Sequence, residues 1–130
     1  MSTHLVAVYG SLRKNMGNHR SYLGHIEEHK RGQTAEPFTM HSLGGFPAIT
    51  HSPDFPPAPV QVEVYEVDDN TFRHLDGLEG YPRFYNRKEV DINLEDGTMT
   101  KAWIYFVEDY TRYSKYPVVE SGDWVKYKVG

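Results

Sequence analysis

HLVAVYGSLR, His4 to Arg13, opens on a short apolar run and breaks at a glycine followed by a small hydroxyl residue. A strand covered on both faces reads in this way, nearly continuously apolar and halted by a turn residue, whereas a strand with one wet face alternates. The run predicts an interior strand over His4–Tyr9, so the fold must supply cover on both sides of it. Glycine at position 10 lets the backbone approach a ligand closely, and successive N–H groups at such a turn can form a small anion-binding nest. An ordinary turn carries the same two residues, and Gly10-Ser11 alone does not decide between them.

Strands continue outward from this segment. Val60, Val62 and Val64 alternate with Gln61, Glu63 and Tyr65, the period of a strand with one buried face. Val90, Ile92 and Leu94 alternate with Asp91 and Asn93 in the same way. Glu95-Asp96-Gly97-Thr98 then carries a hairpin signal, and Trp103-Ile104-Tyr105-Phe106-Val107 supplies the returning strand. The polar stretch His29–Phe38 reads as extended and Asn18–Leu23 as a short helix before Gly24. Two glycines and five prolines between Gly44 and Pro59 remove backbone donors and fix φ repeatedly, which predicts a surface loop.

One longer helix is expected, from Asp69 to Leu78, with Asp68 or Asp69 as cap and Gly80 then Pro82 as the stop. At about 100° per residue, Phe72, Leu75 and Leu78 share a side, and Glu79 falls only about 40° from the middle of that apolar face. His74 and Gly77 fall opposite, and Asp76 lies toward the edge of the stripe. A carboxylate is thereby aimed inward, where ionised groups are costly. Burial and the partial negative charge at the helix C-terminus both disfavour the anion and raise its pKa, so that it can take and return a proton near neutral pH. The alternative is that Glu79 frays out and is solvated or pairs with Arg83 or Arg87.

The 130 residues carry 14 Lys plus Arg against 18 Asp plus Glu, a formal charge of −4. Length predicts a single domain over 1–130. The basic pairs are scattered, which argues against nucleic acid as a partner. There is no cysteine, which excludes thiolate nucleophiles and sulfur-ligated metals. No apolar stretch approaches a bilayer span, and Met1-Ser2-Thr3-His4 is unlike the start of a signal peptide, so a soluble cytoplasmic protein with no membrane partner is expected. His25-Ile26-Glu27-Glu28-His29 fits an H-x-x-E-H zinc pattern, but glycines bracket it and no third ligand is evident. Ser11 lacks the G-x-S-x-G elbow of an acyl-transfer nucleophile, since Leu12-Arg13 follows.

Taken in order, strand-YGSLR (Tyr9–Arg13), Gly17-Asn18-His19, LDGLEGYP (Leu75–Pro82) with Tyr85 and Arg87, Ala102-Trp103-Ile104-Tyr105 and Gly122-Asp123-Trp124 resemble the gamma-glutamylcyclotransferase-like family. The short chain and its Gly-Asn-His look closest to the gamma-glutamylamine cyclotransferase branch. The resemblance implies an α+β fold, a small mixed β-barrel with flanking helices, and a reaction that converts a γ-glutamyl amide to 5-oxoproline and a free amine. It assigns Glu79 as the catalytic glutamate and Tyr9, Gly10, Ser11 and Leu12 as the loop that holds the γ-glutamyl group. Beside that assignment, Tyr85 and Tyr105 are candidates to close the pocket through hydroxyl donors, two among ten tyrosines. No metal or organic cofactor is implied. The alternative is a protein that keeps the cavity and binds a small anionic ligand without turning it over.

Overall fold

The computed structural model describes residues 2–129. Five strands form a closed barrel in the order β1 (Thr3–Val8), β5 (Gln61–Asp68), β2 (Lys30–Thr34), β6 (Asn86–Leu94) and β7 (Met99–Phe106). All neighbours pair antiparallel except β1 and β7, whose parallel contact at Val6 and Trp103 closes the barrel and makes it mixed. Helices α1 (His19–Leu23), α2 (Asp69–Glu79) and α3 (Trp124–Val129) flank it. Among the described residues no helix is long and apolar enough to cross a membrane.

Alternate residues of β1 serve two cores, as its unbroken apolar run requires. Ala7 and Tyr9 join Val62, Val64, Val90, Ile92, Ala102 and Ile104 in one, while Val6 and Val8 join Tyr65, Val67, Phe72, Leu75 and Tyr105 in the other, beneath α2. Helix α2 is capped by the Asp68 carboxylate, which accepts from the Thr71 N–H at 2.7 Å. It stops at Gly80 with φ of 66°, a left-handed turn that glycine adopts without the penalty of a Cβ. Burial of Phe72 and Leu75 anchors the helix, each contributing about 1.5–3 kcal/mol.

Two expectations are corrected. The proline-rich segment is not wholly a surface loop: β4 (Pro47–Thr50) lies within it and forms a buried antiparallel pair with β3 (Thr39–Ser42), which precedes it. Pro47 is accommodated because it heads its strand, and the remaining prolines fall beyond Thr50 in irregular chain. Strand β5 is not wet on one face, for Glu63 and Tyr65 are only 2% and 0% exposed. Its outer face is covered by Arg13 and by the rings of His19 and His29 against Tyr65.

Candidate active site

The YGSL segment leaves β1 in a turn closed by the Arg13 N–H donating to Gly10 O at 3.0 Å. Glycine is needed there because a Cβ at position 10 would lie 2.8 Å from the Pro47 ring, so the close approach that selects it is by β4. Asn18 fastens the next turn, its backbone N–H donating to Ser11 O at 2.9 Å and its side-chain amide to Ser11 Oγ at 2.8 Å. His19 Nδ1 lies 2.9 Å from Leu12 O. The N–H groups of Ser11 and Leu12 have no acceptor among the described residues, and both residues line a cavity of about 270 Å³.

Glu79, the last residue of α2, reaches the same cavity, together with Tyr9, Tyr85 and Tyr105. Burial pushes its carboxyl up to about 7. The arginine considered as its partner is occupied elsewhere: Arg87 donates to the Asp76 carboxylate through Nε at 3.0 Å and Nη2 at 3.3 Å. Its guanidinium also lies over the rings of Phe72, Tyr81 and Trp103. Arg83 is exposed, and no salt bridge reaches Glu79 among the described residues.

Each tyrosine hydroxyl is engaged by the protein. Tyr9 donates to Tyr105 O at 2.7 Å, Tyr85 to Pro47 O at 2.5 Å, and Tyr105 to Asp76 Oδ1 at 2.7 Å. The expected hydroxyl donors thus point their hydrogens at protein acceptors. Burial raises all three phenols well above the ordinary tyrosine range, and the charge of Glu79 adds to it in each.

Sequence reasoning did not single out Phe46, Pro47, Leu78 and Phe84 as cavity walls. Two of these lie in the segment read as loop, and Asn18 entered only as the start of a short helix and through the Gly-Asn-His triplet. Nor did it find Glu63, which accepts from Arg13 Nε at 2.9 Å, the Lys14 N–H at 2.8 Å and the Tyr65 hydroxyl at 2.9 Å. The H-x-x-E-H segment is not helical; its Glu27, Glu28 and His29 border a separate, open cleft. No group of three metal-ligating side chains occurs among the described residues.

The family profile described as "Gamma-glutamyl cyclotransferase, AIG2-like" matches residues 6–126. A Methanocaldococcus jannaschii protein named provisionally as a gamma-glutamylcyclotransferase is 38% identical over 123 residues, covering 95% of this chain and 97% of its own. The gamma-glutamylaminecyclotransferase C of Danio rerio is 33% identical over 119 residues, covering 81% of this chain and 76% of its own. In structure the chain is similar to an AIG2-like protein from Mus musculus, with a TM-score of 0.77 and 26% identity over 95% of this chain and 90% of that one.

Proposed function

Since the chain belongs to the gamma-glutamyl cyclotransferase, AIG2-like family, we propose that it releases 5-oxoproline and a free amine from γ-glutamyl amines or γ-glutamyl peptides, with Glu79 as general acid and base. The observation that carries this reading is a half-buried carboxylate without a counter-charge among the described residues, raised to about 7, in one cavity with Gly10–Leu12. Such a group is poised to gain and lose a proton near neutral pH.

The chemistry asks little else of the protein. The substrate's own α-amine attacks its γ-carbonyl, so a five-membered ring closes with nucleophile and electrophile already tethered. Glu79 takes a proton from the α-ammonium, the freed amine forms the new C–N bond, and the amide C–N bond breaks as the same carboxyl returns that proton to the leaving amine; the second proton shed by the ring nitrogen passes to the released amine, which departs as its ammonium. The free N–H groups of Ser11 and Leu12 suit the substrate carboxylate or the developing oxyanion. Relatives named for γ-glutamylamines favour an amine as leaving group.

Incubating the protein with γ-glutamyl amines, γ-glutamyl dipeptides and glutathione, and measuring 5-oxoproline by mass spectrometry, tests this directly. We expect release from at least one γ-glutamyl amine. No release from any member of the panel would overturn the reading.

A further inference from the structure

The directions of three hydrogen bonds in the cavity wall are fixed, because each acceptor is unable to donate. Tyr9 and Tyr85 face backbone carbonyls and Tyr105 faces the Asp76 carboxylate. A phenol has one hydrogen, so the capacity left on the Tyr85 and Tyr105 oxygens is acceptance alone, whereas the Tyr9 oxygen already faces the Ile49 N–H. Tyr85 and Tyr105 line the same cavity as Glu79, and the charge of Glu79 adds to the upward shift of both phenols. On the loop side stand the unpartnered N–H groups of Ser11 and Leu12.

We propose that the cavity is polarised for an α-amino acid, with Tyr85 and Tyr105 as an acceptor wall that selects an ammonium group and Asp76 as the positioning residue that keeps the Tyr105 hydrogen turned away from it. The proposal rests on the cyclotransferase reading and adds to it how the substrate is oriented. Three N–H bonds of an α-ammonium match lone pairs on the tyrosine oxygens and Glu79, while the α-carboxylate matches the loop N–H groups. An anion or an apolar group against that wall leaves the oxygens without donors. The orientation also sets the proton to be removed beside the carboxylate that removes it.

Asp76 lies outside the cavity lining and acts through Tyr105. Its carboxylate is itself held by the two Arg87 bonds, and Arg87 is clamped among Phe72, Tyr81 and Trp103. Without Asp76 the Tyr105 hydroxyl is free to rotate and present its hydrogen to the ligand.

Two inert probes test this by NMR titration, independently of turnover. L-Methionine sulfone carries the α-ammonium and α-carboxylate, with a sulfone where the amide carbonyl would stand; 4-(methylsulfonyl)butanoate lacks only the ammonium. The native protein is expected to bind the first about 10- to 100-fold more tightly, the ordinary worth of a hydrogen bond to a charged group. Tyr105→Phe and Asp76→Ala are both expected to shrink that ratio severalfold while leaving the affinity for the deaminated probe unchanged. A merely structural role would weaken both probes together. Tyr105→Phe keeps the Arg87–Asp76 pair and serves if Asp76→Ala does not fold. Equal affinity for the two probes, binding of neither, or an unchanged ratio in Tyr105→Phe would overturn the proposal. Absence of 5-oxoproline from the native protein would instead remove the cyclotransferase reading beneath it.

Discussion

Two glutamates point inward in this molecule, and they live in opposite surroundings. Glu63 sits on the covered face of β5 with three donors on its carboxylate, from Arg13, Lys14 and Tyr65. Burial by itself would raise its pKa, but these hydrogen bonds and the Arg13 charge outweigh burial and hold it below the ordinary carboxylate range. Glu79 is half-buried with no protein donor among the described residues, and its pKa moves the other way, to about 7. The direction of a buried carboxylate's shift is therefore decided by whether donors face it, and the fold uses both answers. Glu63 fastens the chain just after the YGSL loop to the barrel, and Asp123 adds a second bond to the same arginine at 2.9 Å. Glu79 reaches the cavity with no protein donor among the described residues, and the upward shift that follows is a cost to stability.

The contrast can be broken most forcefully at Glu79. Glu79→Gln keeps the shape but cannot shuttle a proton, so kcat is expected to fall about 10²–10⁴-fold with the circular dichroism spectrum unchanged. The matching change at Glu63 strikes stability. Glu63→Gln withdraws the charge facing buried Arg13 and is expected to cost about 3–5 kcal/mol at neutral pH by urea denaturation. Because the folded pKa of Glu63 is depressed, its contribution is present above the unfolded pKa and is lost as pH falls through the folded one. The deficit of the variant shrinks accordingly in acid.

At Glu79 the sign reverses. Its folded pKa of about 7 lies above an unfolded value of about 4.3, so ionisation opposes folding. The penalty is absent below the unfolded pKa, grows between the two values and is complete above the folded one. Glu79→Gln is therefore expected to be more stable than the native chain at pH 8 and close to it at pH 4. Thermal melts at the two pH values check this; a variant less stable at pH 8 would mean that the carboxylate is held by an unseen partner. The smallest effect belongs to Ser11→Ala, which removes the acceptor of the Asn18 amide hydrogen bond. Its kcat/KM should fall less than about tenfold, since one neutral hydrogen bond contributes about 0.5–1.5 kcal/mol.

What could be read from the chain beforehand was what depends on neighbours in sequence. The double-sided run of β1, the cap and stop of α2, the alternation of β6 and its hairpin to β7 are local patterns, and the helical angle that aims Glu79 inward is arithmetic on the same helix. The β3–β4 pair was hidden because prolines and glycines dominate its local signal, while its burial comes from distant partners such as the Val107 N–H donating to Ile49 O. Alternation in β5 implied polar residues facing water; Glu63 and Tyr65 are instead covered by a loop 50 residues away in sequence. Asp76 looked like an edge residue of the helix, and its bonds to Arg87 and Tyr105 exist only once β6 and β7 lie against α2. Glu79 was legible as inward-pointing, but its lack of a partner was not, because that depends on Arg87 choosing Asp76.

The most direct test of the contrast is to titrate both carboxylates in one sample, following the side-chain carboxyl carbons by ¹³C NMR from pH 3 to 9, with Glu79→Gln and Glu63→Gln giving the assignments. A Glu79 midpoint near 7 and a Glu63 midpoint below the model-peptide value of about 4.3 are the expected result. A Glu79 midpoint at or below about 4.3 would show a stabilised anion and contradict the assignment of an uncompensated carboxylate to proton transfer.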